Sequence, residues 1–329
     1  MLTVNAALSS FCPFCGQRDC IDLGPCRTPV ECTAKGFPAI VKEIADRLRD
    51  SRLFRCPHCA LTFRDPQVGL SDLDSLYREL PESMWKYDVE KVGSWVAARK
   101  RLLDVYSEDD PIKIMDVGAH QGDFLKALPA AWIKHAIEPS YDAREKLKRN
   151  GIEHRADFLN ATTAQELQHE FDVITLFDVF EHLPSLSTSL DELMTMLKPD
   201  GRLYISTGNA DHWTWRLLRG HHWYLHSAQH LSFGGVAFFR KVCNDRGWNL
   251  DALIHHSHQV SSGTERFHQS IKHLYYWARS LQNPVAGFVA RTMCHVPGLK
   301  YLRHEIAVPH GTSLADHILV VLRPSRKCR

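Results

Sequence analysis

Three groups of residues in this 329-residue chain have the types and spacing to do chemistry. The first is a pair of matched knuckles, Cys12-Pro13-Phe14-Cys15 and Cys56-Pro57-His58-Cys59, with 40 residues between them. Each knuckle offers two sulfurs from one turn. Four thiolates suit a tetrahedral zinc ion and close its coordination sphere, a structural rather than a catalytic use of metal. The second group is Ile114-Met115-Asp116-Val117-Gly118-Ala119-His120-Gln121-Gly122-Asp123-Phe124, a strand-like run, a glycine turn and a helix start. Gly118 permits a tight turn, Gly122 lets the helix pack close, and the free N–H groups of a helix start suit an anionic group of a ligand. The next apolar run ends in Ile137-Glu138-Pro139, so Glu138 follows Asp116 by 22 residues. A carboxylate there can accept both hydroxyls of a ribose. The third group is His221–Phe233, HHWYLHSAQHLSF, dense in histidine and aromatic residues. Imidazole titrates near neutrality and serves as a proton acceptor.

Composition narrows what these groups can serve. Seven of the ten cysteines fall before residue 60, and such crowding in an intracellular enzyme points to metal ligation. Redox-active or unliganded cysteines are the alternative. Cys20, Cys26 and Cys32 are left over, and Cys20 could replace a knuckle ligand. A net charge of +2 without blocks of like charge argues against a nucleic-acid partner. No apolar run approaches the ~18–20 residues that span a bilayer. The N-terminus has neither a basic region nor a long apolar stretch, so a soluble cytoplasmic protein is expected. A nicotinamide dehydrogenase would normally carry three glycines in the turn, and this one has two.

The elements that must position these residues follow from periodicity. Residues 1–66 read as a cysteine-rich zinc-binding module. Residues 67–110 read as a helical linker or lid, with Leu70, Leu73, Leu76, Tyr77 and Leu80 at helical spacing and a second amphipathic run from Trp95 to Val105. Residues 111–329 alternate strands and helices, the pattern of a parallel sheet with crossover helices. Strands are expected at Ile112–Val117, Lys134–Ile137, Phe171–Phe177 and Arg202–Thr207. Leu250–His255 and His317–Leu322 are expected to pair as a terminal hairpin. An insert between them, about 265–302, reads as helices broken at Pro284 and Pro297.

The order of these motifs resembles class I S-adenosylmethionine-dependent methyltransferases over about residues 111–250. The matching segments are Asp116 to Gly122, Glu138, Arg155-Ala156-Asp157-Phe158, Phe171 to Pro184 (FDVITLFDVFEHLP) and Leu197 to Ser206 (LKPDGRLYIS). The resemblance implies a Rossmann-like, doubly wound, mostly parallel seven-stranded α/β sheet. It implies that Asp116, Gly118, Ala119, Gly122, Glu138, Asp157, Phe158 and Asp178 bind S-adenosylmethionine, with Asp157 at the adenine and Asp178 near the methionine end. His120 departs from the family, many members of which have glycine there. A subset resembling sugar C-methyltransferases carries a cysteine-paired zinc module followed by a Pro and a Leu-x-x-x-Tyr helix, matched here by Asp65-Pro66 and Leu73 to Tyr77. In that subset Tyr87 would fold over the cofactor.

Proton removal from an acceptor falls to His230, His226 or His182. His230 matches a His-Leu-x-Phe-like segment of related enzymes, but the His-Glu-His pattern of the sugar C-methyltransferases is absent. The expected function is methyl transfer to a small molecule, a nucleotide-sugar, glycan or natural-product precursor. Two alternatives are an RNA methyltransferase that grips nucleic acid with the zinc module and a non-catalytic zinc-and-cofactor binding subunit. The aromatic and basic insert could also contact a membrane surface peripherally.

Overall fold

The chain carries strand-forming runs that divide their side chains between two helix-covered faces. In Lys113–Val117, Ile114 joins one buried cluster while Met115 and Val117 join the other. In Phe171–Phe177, Val173 and Phe177 share the first side, and Ile174 and Leu176 the second. This period-2 alternation, apolar on both faces, is what a sheet buried between two helical layers requires.

The computed structural model describes residues 10–27, 39–79, 88–280, 284–304 and 309–325. Among these, eleven strands form two sheets. They are β1 Ile21–Pro25, β2 Arg52–Arg55, β3 Thr62–Asp65, β4 Lys113–Val117, β5 Ile133–Ile137, β6 Glu153–Ala156, β7 Phe171–Phe177, β8 Leu197–Gly208, β9 Ser232–Phe233, β10 Asn249–His256 and β11 His317–Arg323. The large sheet has the order β10-β11-β8-β7-β4-β5-β6. β4 pairs in parallel with β5 and β7, and β5–β6 and β7–β8 are also parallel. β11 runs antiparallel to both β8 and β10. Helices Gly93–Leu103, Asp123–Lys126 and Tyr141–Arg149 cover one face, and Ala161–Glu166, Leu186–Met196 and Val236–Arg246 the other. The expected α/β architecture and the β10–β11 hairpin are present. The strand order reverses between β4 and β7, so a crevice opens at their carboxyl ends, where doubly wound sheets bind ligands.

The second sheet has the order β1-β2-β3-β9 and is antiparallel. Its first three strands come from the cysteine-rich region, while β9 comes from the histidine-rich segment. Cys12, Phe54, Cys56, Cys59, Leu61 and Phe63 belong to the same buried cluster as Met115, Leu176, Phe180 and Phe238. The described residues of this cysteine-rich region therefore share a core with the large sheet. Periodicity did not foresee β1–β3, because these are short strands among turn residues.

Between the two regions, helices form at Leu70–Glu79 and Gly93–Leu103. The insert forms helices Gly263–Ser280 and Pro284–Met293 and a short 3-10 turn, Lys300–His304. Pro284 opens the second helix, where a missing N–H is tolerated. Cys32, Leu80 and Tyr87 lie outside the described residues.

Candidate active site and cysteine cluster

A cavity of about 890 Å³ lies at the carboxyl ends of β4, β5 and β7. Its floor is the glycine turn. The β4–β7 register sets Asp116 beside Thr175, whose hydroxyl donates to Asp116 Oδ1 at 2.6 Å. Burial raises the Asp116 carboxyl to about 7, against the lowering effect of that bond. Gly118 has φ 76°, and a Cβ there would come 2.5 Å from Val179 Cγ2. Gly122 has φ 77° and precedes helix Asp123–Lys126. It is not among the residues lining the cavity; a Cβ there would lie 2.3 Å from Ile152 Cδ1, so its role is close packing of the turn.

Glu138 directly follows β5 and lines the cavity. Its two carboxylate oxygens accept from the His120 N–H at 2.7 Å and the Ser140 N–H at 2.9 Å. Burial raises its pKa while these two N–H groups act to lower it. Each oxygen keeps a lone pair for a ligand hydroxyl. His120, with φ 46°, thus contributes its backbone to fixing Glu138 while its side chain lines the cavity. Ala119, Asp157 and Phe158 also line it. Asp157 is held by Arg144 at 2.6 Å at the half-open rim.

Asp178 follows β7 with φ 52°, and its N–H donates to Ser206 O at 3.0 Å. Its carboxyl is buried, raised to about 7 by that burial, and lines the cavity. Asp178 Oδ1 has no hydrogen-bond partner among the described residues. A buried carboxylate oxygen without a partner, on a residue that lines the cavity, calls for a donor. With the Gly118 turn and Glu138, it gives a set that fits S-adenosylmethionine: hydroxyl acceptors at one end, an ammonium acceptor at the other.

Beyond Asp178 lies a polar cluster. Glu181 is fully buried. Its carboxylate accepts from Thr207 Oγ1 at 2.9 Å and from the Tyr224 hydroxyl. Burial, with Asp178 adding to it, raises Glu181 to about 8. His182 Nδ1 pairs with the Tyr77 hydroxyl at 2.6 Å, and burial lowers its pKa to about 3. His230 Nδ1 lies 2.6 Å from Tyr224 O, an acceptor, so Nδ1 carries the proton and Nε2 keeps its lone pair. Burial, reinforced by His182, holds His230 well below its usual pKa. Glu181, His182 and His230 bring ligand-type atoms within 4.8 Å of one another, a spacing open to a shared proton or a cation.

The structure separates the three histidines expected to act as base. His182 and His230 meet edge to face with ring centroids 4.9 Å apart, and both line the cavity. His226 does not line it. The 3-10 turn Trp223–His226 directs its ring against His310, at 5.3 Å. Trp223, Tyr224, Gln229 and His258 complete this side of the cavity and were not singled out from sequence. Tyr224 and Gln229 lie within the histidine-rich segment, so proximity was the available signal. His258 had none.

One further residue connects the site to the small sheet. Arg64 on β3 is fully buried, and its guanidinium donates to Leu225 O at 2.5 Å and Ser227 O at 3.1 Å. Its backbone N–H donates to Leu231 O at 2.9 Å. Arg64 thereby spans the loop that carries His230.

Cys12, Cys15, Cys56 and Cys59 bring their sulfurs within 4.8 Å of one another. Cys12–Cys59 and Cys15–Cys56 are each 3.5 Å apart. A tetrahedral zinc with Zn–S of about 2.3 Å sets its sulfurs at about 3.8 Å, so the set fits that ion. Cys12 is drawn down to about 5, chiefly by its bond to Cys59. Cys20 is raised to about 12 by burial and lies outside the four. Cys26 is buried on the far side, in the cluster around Trp215.

The family model described as "Methyltransferase domain" matches residues 86–253, about half the chain. A ubiquinone biosynthesis O-methyltransferase of Actinobacillus pleuropneumoniae is 34% identical over 108 residues, covering 30% of this chain and 46% of that protein. The mitochondrial protein of the same name from Schizosaccharomyces pombe is 26% identical over 157 residues, 44% of this chain and 57% of its own length. The chain thus spans about half the length of these curated relatives. A solved coclaurine N-methyltransferase bound to N-methylheliamine and SAH superposes with a TM-score of 0.40 at 15% identity, over 69% of this chain and 71% of its own. With the family match resting on the same β4–β10 region that builds the cavity, the chain belongs to the methyltransferase-domain family and has the class I architecture of S-adenosylmethionine-dependent methyltransferases.

Proposed function

We propose that the chain catalyses S-adenosylmethionine-dependent methyl transfer to a hydroxyl of a small molecule, a sugar, glycan or natural-product precursor. The observation that carries this reading is the juxtaposition of Asp178, with its unsatisfied buried oxygen, and the neutral His230 in one cavity. When bound, S-adenosylmethionine supplies an electrophilic methyl on a sulfonium. Glu138 would hold the ribose hydroxyls, and Asp178 the methionine ammonium. Glycine-turn N–H groups would line the path between them.

An acceptor entering between Trp223, Tyr224, Gln229 and His258 meets ring faces and a few placed polar groups, the usual make-up of a small-molecule pocket. His230 Nε2 would take the acceptor's proton, leaving the acceptor oxygen free to react with the methyl that the bound cofactor would supply. The resulting imidazolium is steadied by Tyr224 O on Nδ1. Tyr224 couples His230 to Glu181, because its hydroxyl donates to Glu181 while its carbonyl accepts from His230. The four-cysteine cluster would serve as a structural zinc site, and none of its cysteines lines the cavity.

A phenolic acceptor is the second reading, favoured by the relatives named as ubiquinone biosynthesis O-methyltransferases. A cofactor-consumption screen over nucleotide-sugars, glycan precursors, phenols and RNA decides among these. His230→Asn is expected to lower kcat by about 100-fold or more with the acceptor KM little changed, and Glu138→Ala to weaken S-adenosylhomocysteine binding by about 10-fold or more. Consumption with RNA alone, or tight cofactor binding without turnover on any class, would sink the small-molecule reading.

A further inference from the structure

We propose that the helical insert between β10 and β11 docks on an anionic lipid surface. Among the described residues, exposed large apolar side chains are scattered over most of the molecule but concentrate here: Phe267, Leu274, Val285, Phe288, Val289 and Val296. Phe267 is 63% exposed, Val285 71% and Phe288 62%. They are not strays. Phe267 and Leu274 are seven apart on helix Gly263–Ser280 and fall on one stripe, and Val285, Phe288 and Val289 form another on helix Pro284–Met293. The inner sides of the same two helices are occupied, since Tyr275 and Ala278 pack with Ala290, Cys294 and Leu302. The insert therefore has a buried seam of its own and an outer apolar surface in addition.

Charge identifies the occupant. Between residues 263 and 304 the only acidic residue is Glu265, which is engaged by Ser262, whose N–H and hydroxyl both donate to it. Arg266, Arg279, Arg291, Lys300 and Arg303 on the same segment are exposed. Apolar side chains flanked by cations are what an interfacial helix presents to acyl chains below and lipid phosphates above, with long arginine stems reaching the headgroups. A second copy of the chain would bring the same cations against each other. No helix among the described residues is long and apolar enough to cross a membrane, so the contact is peripheral. The first helix starts just past His258, a residue of the cavity wall, so docking would set the acceptor side of the cavity near the lipid surface.

The test is co-sedimentation of the full, metal-loaded chain with vesicles of phosphatidylcholine alone and of phosphatidylcholine with phosphatidylglycerol. Binding is expected on the anionic vesicles, weaker on the neutral ones, and reduced as salt rises from about 0.05 to about 0.5 M. The double variant Phe267→Ser, Phe288→Ser is expected to lower the partition coefficient about 10-fold or more. Ile21→Ser, an exposed apolar residue of β1, is expected to leave it unchanged. Circular dichroism and zinc content show that each variant is folded. Absence of binding to anionic vesicles at low salt overturns the proposal, as does binding indifferent to the double variant. A dimer in sedimentation velocity that the double variant dissolves, without vesicle binding, assigns the face to a second copy and overturns it too. None of these readouts depends on methyl transfer.

Discussion

Arg64→Met removes the clamp between the small sheet and the histidine loop while keeping most of the side-chain volume. Two bonds from a charged donor are lost, to Leu225 O and Ser227 O, and both carbonyls are left inside the protein. Hydrogen bonds to charged groups contribute about 1.5–3 kcal/mol each, and the desolvation of the buried guanidinium, now relieved, offsets part of that. A net loss of about 2–4 kcal/mol is expected, a lowering of Tm by about 4–16 °C for a catalytic domain of this size. The functional consequence separates Arg64 from a general core residue. Glu138 and Asp178 are held by β5, β7 and β8, so affinity for S-adenosylhomocysteine should stay within about 2-fold of wild type. Tyr224 and His230 are held by the loop that Arg64 spans, so kcat should fall about 10-fold or more. Arg64→Lys should not rescue, because a point ammonium cannot donate to two divergent carbonyls as the fork does. The assays are thermal melting, calorimetric titration of the cofactor product and steady-state kinetics on whichever acceptor the screen identifies. Equal losses in cofactor affinity and kcat, or wild-type kcat at reduced stability, would refute the positioning role.

Three other outcomes are expected. Asp116 is raised to about 7 by burial, above the ordinary carboxyl value of about 4 in the unfolded chain. The folded state thus holds this proton more tightly, and its stabilising effect is present below about pH 4 and lost as pH rises through about 7. The Tm difference between wild type and Asp116→Asn should therefore move against wild type over that window in cofactor-free protein; a difference that is flat with pH counts against the shift. Zinc analysis should find about one ion per chain, lost in Cys12→Ser, Cys56→Ser, with a fall in Tm; full metal content in that variant removes these ligands. Gly122→Ala should cost about 1–3 kcal/mol, since a Cβ must form at φ 77° against Ile152 and Leu147; an unchanged Tm would show that the turn relaxes.

What the sequence determined by itself is local. The glycine turn, the acid following β5, and the strand and helix order of 111–250 are written in adjacent residues, because tight turns and periodic burial constrain neighbours. The matched Cys-x-x-Cys knuckles were legible for the same reason. The choice among His182, His226 and His230 was not. It depends on how the fold directs each ring: the 3-10 turn Trp223–His226 sends His226 toward His310, while His182 and His230 line the cavity. Tertiary structure alone made Tyr224 the link between Glu181 and His230, brought His258 from β10's end to the cavity wall, and paired β3 with β9. The Tyr224–Glu181 bond joins residues 43 positions apart and the β3–β9 pairing sets Thr62 against Phe233, and no local period encodes either. The cysteine-rich region, which read as a zinc module, is joined to the histidine-rich loop, because Arg64 on β3 bonds that loop and β3 shares a sheet with β9.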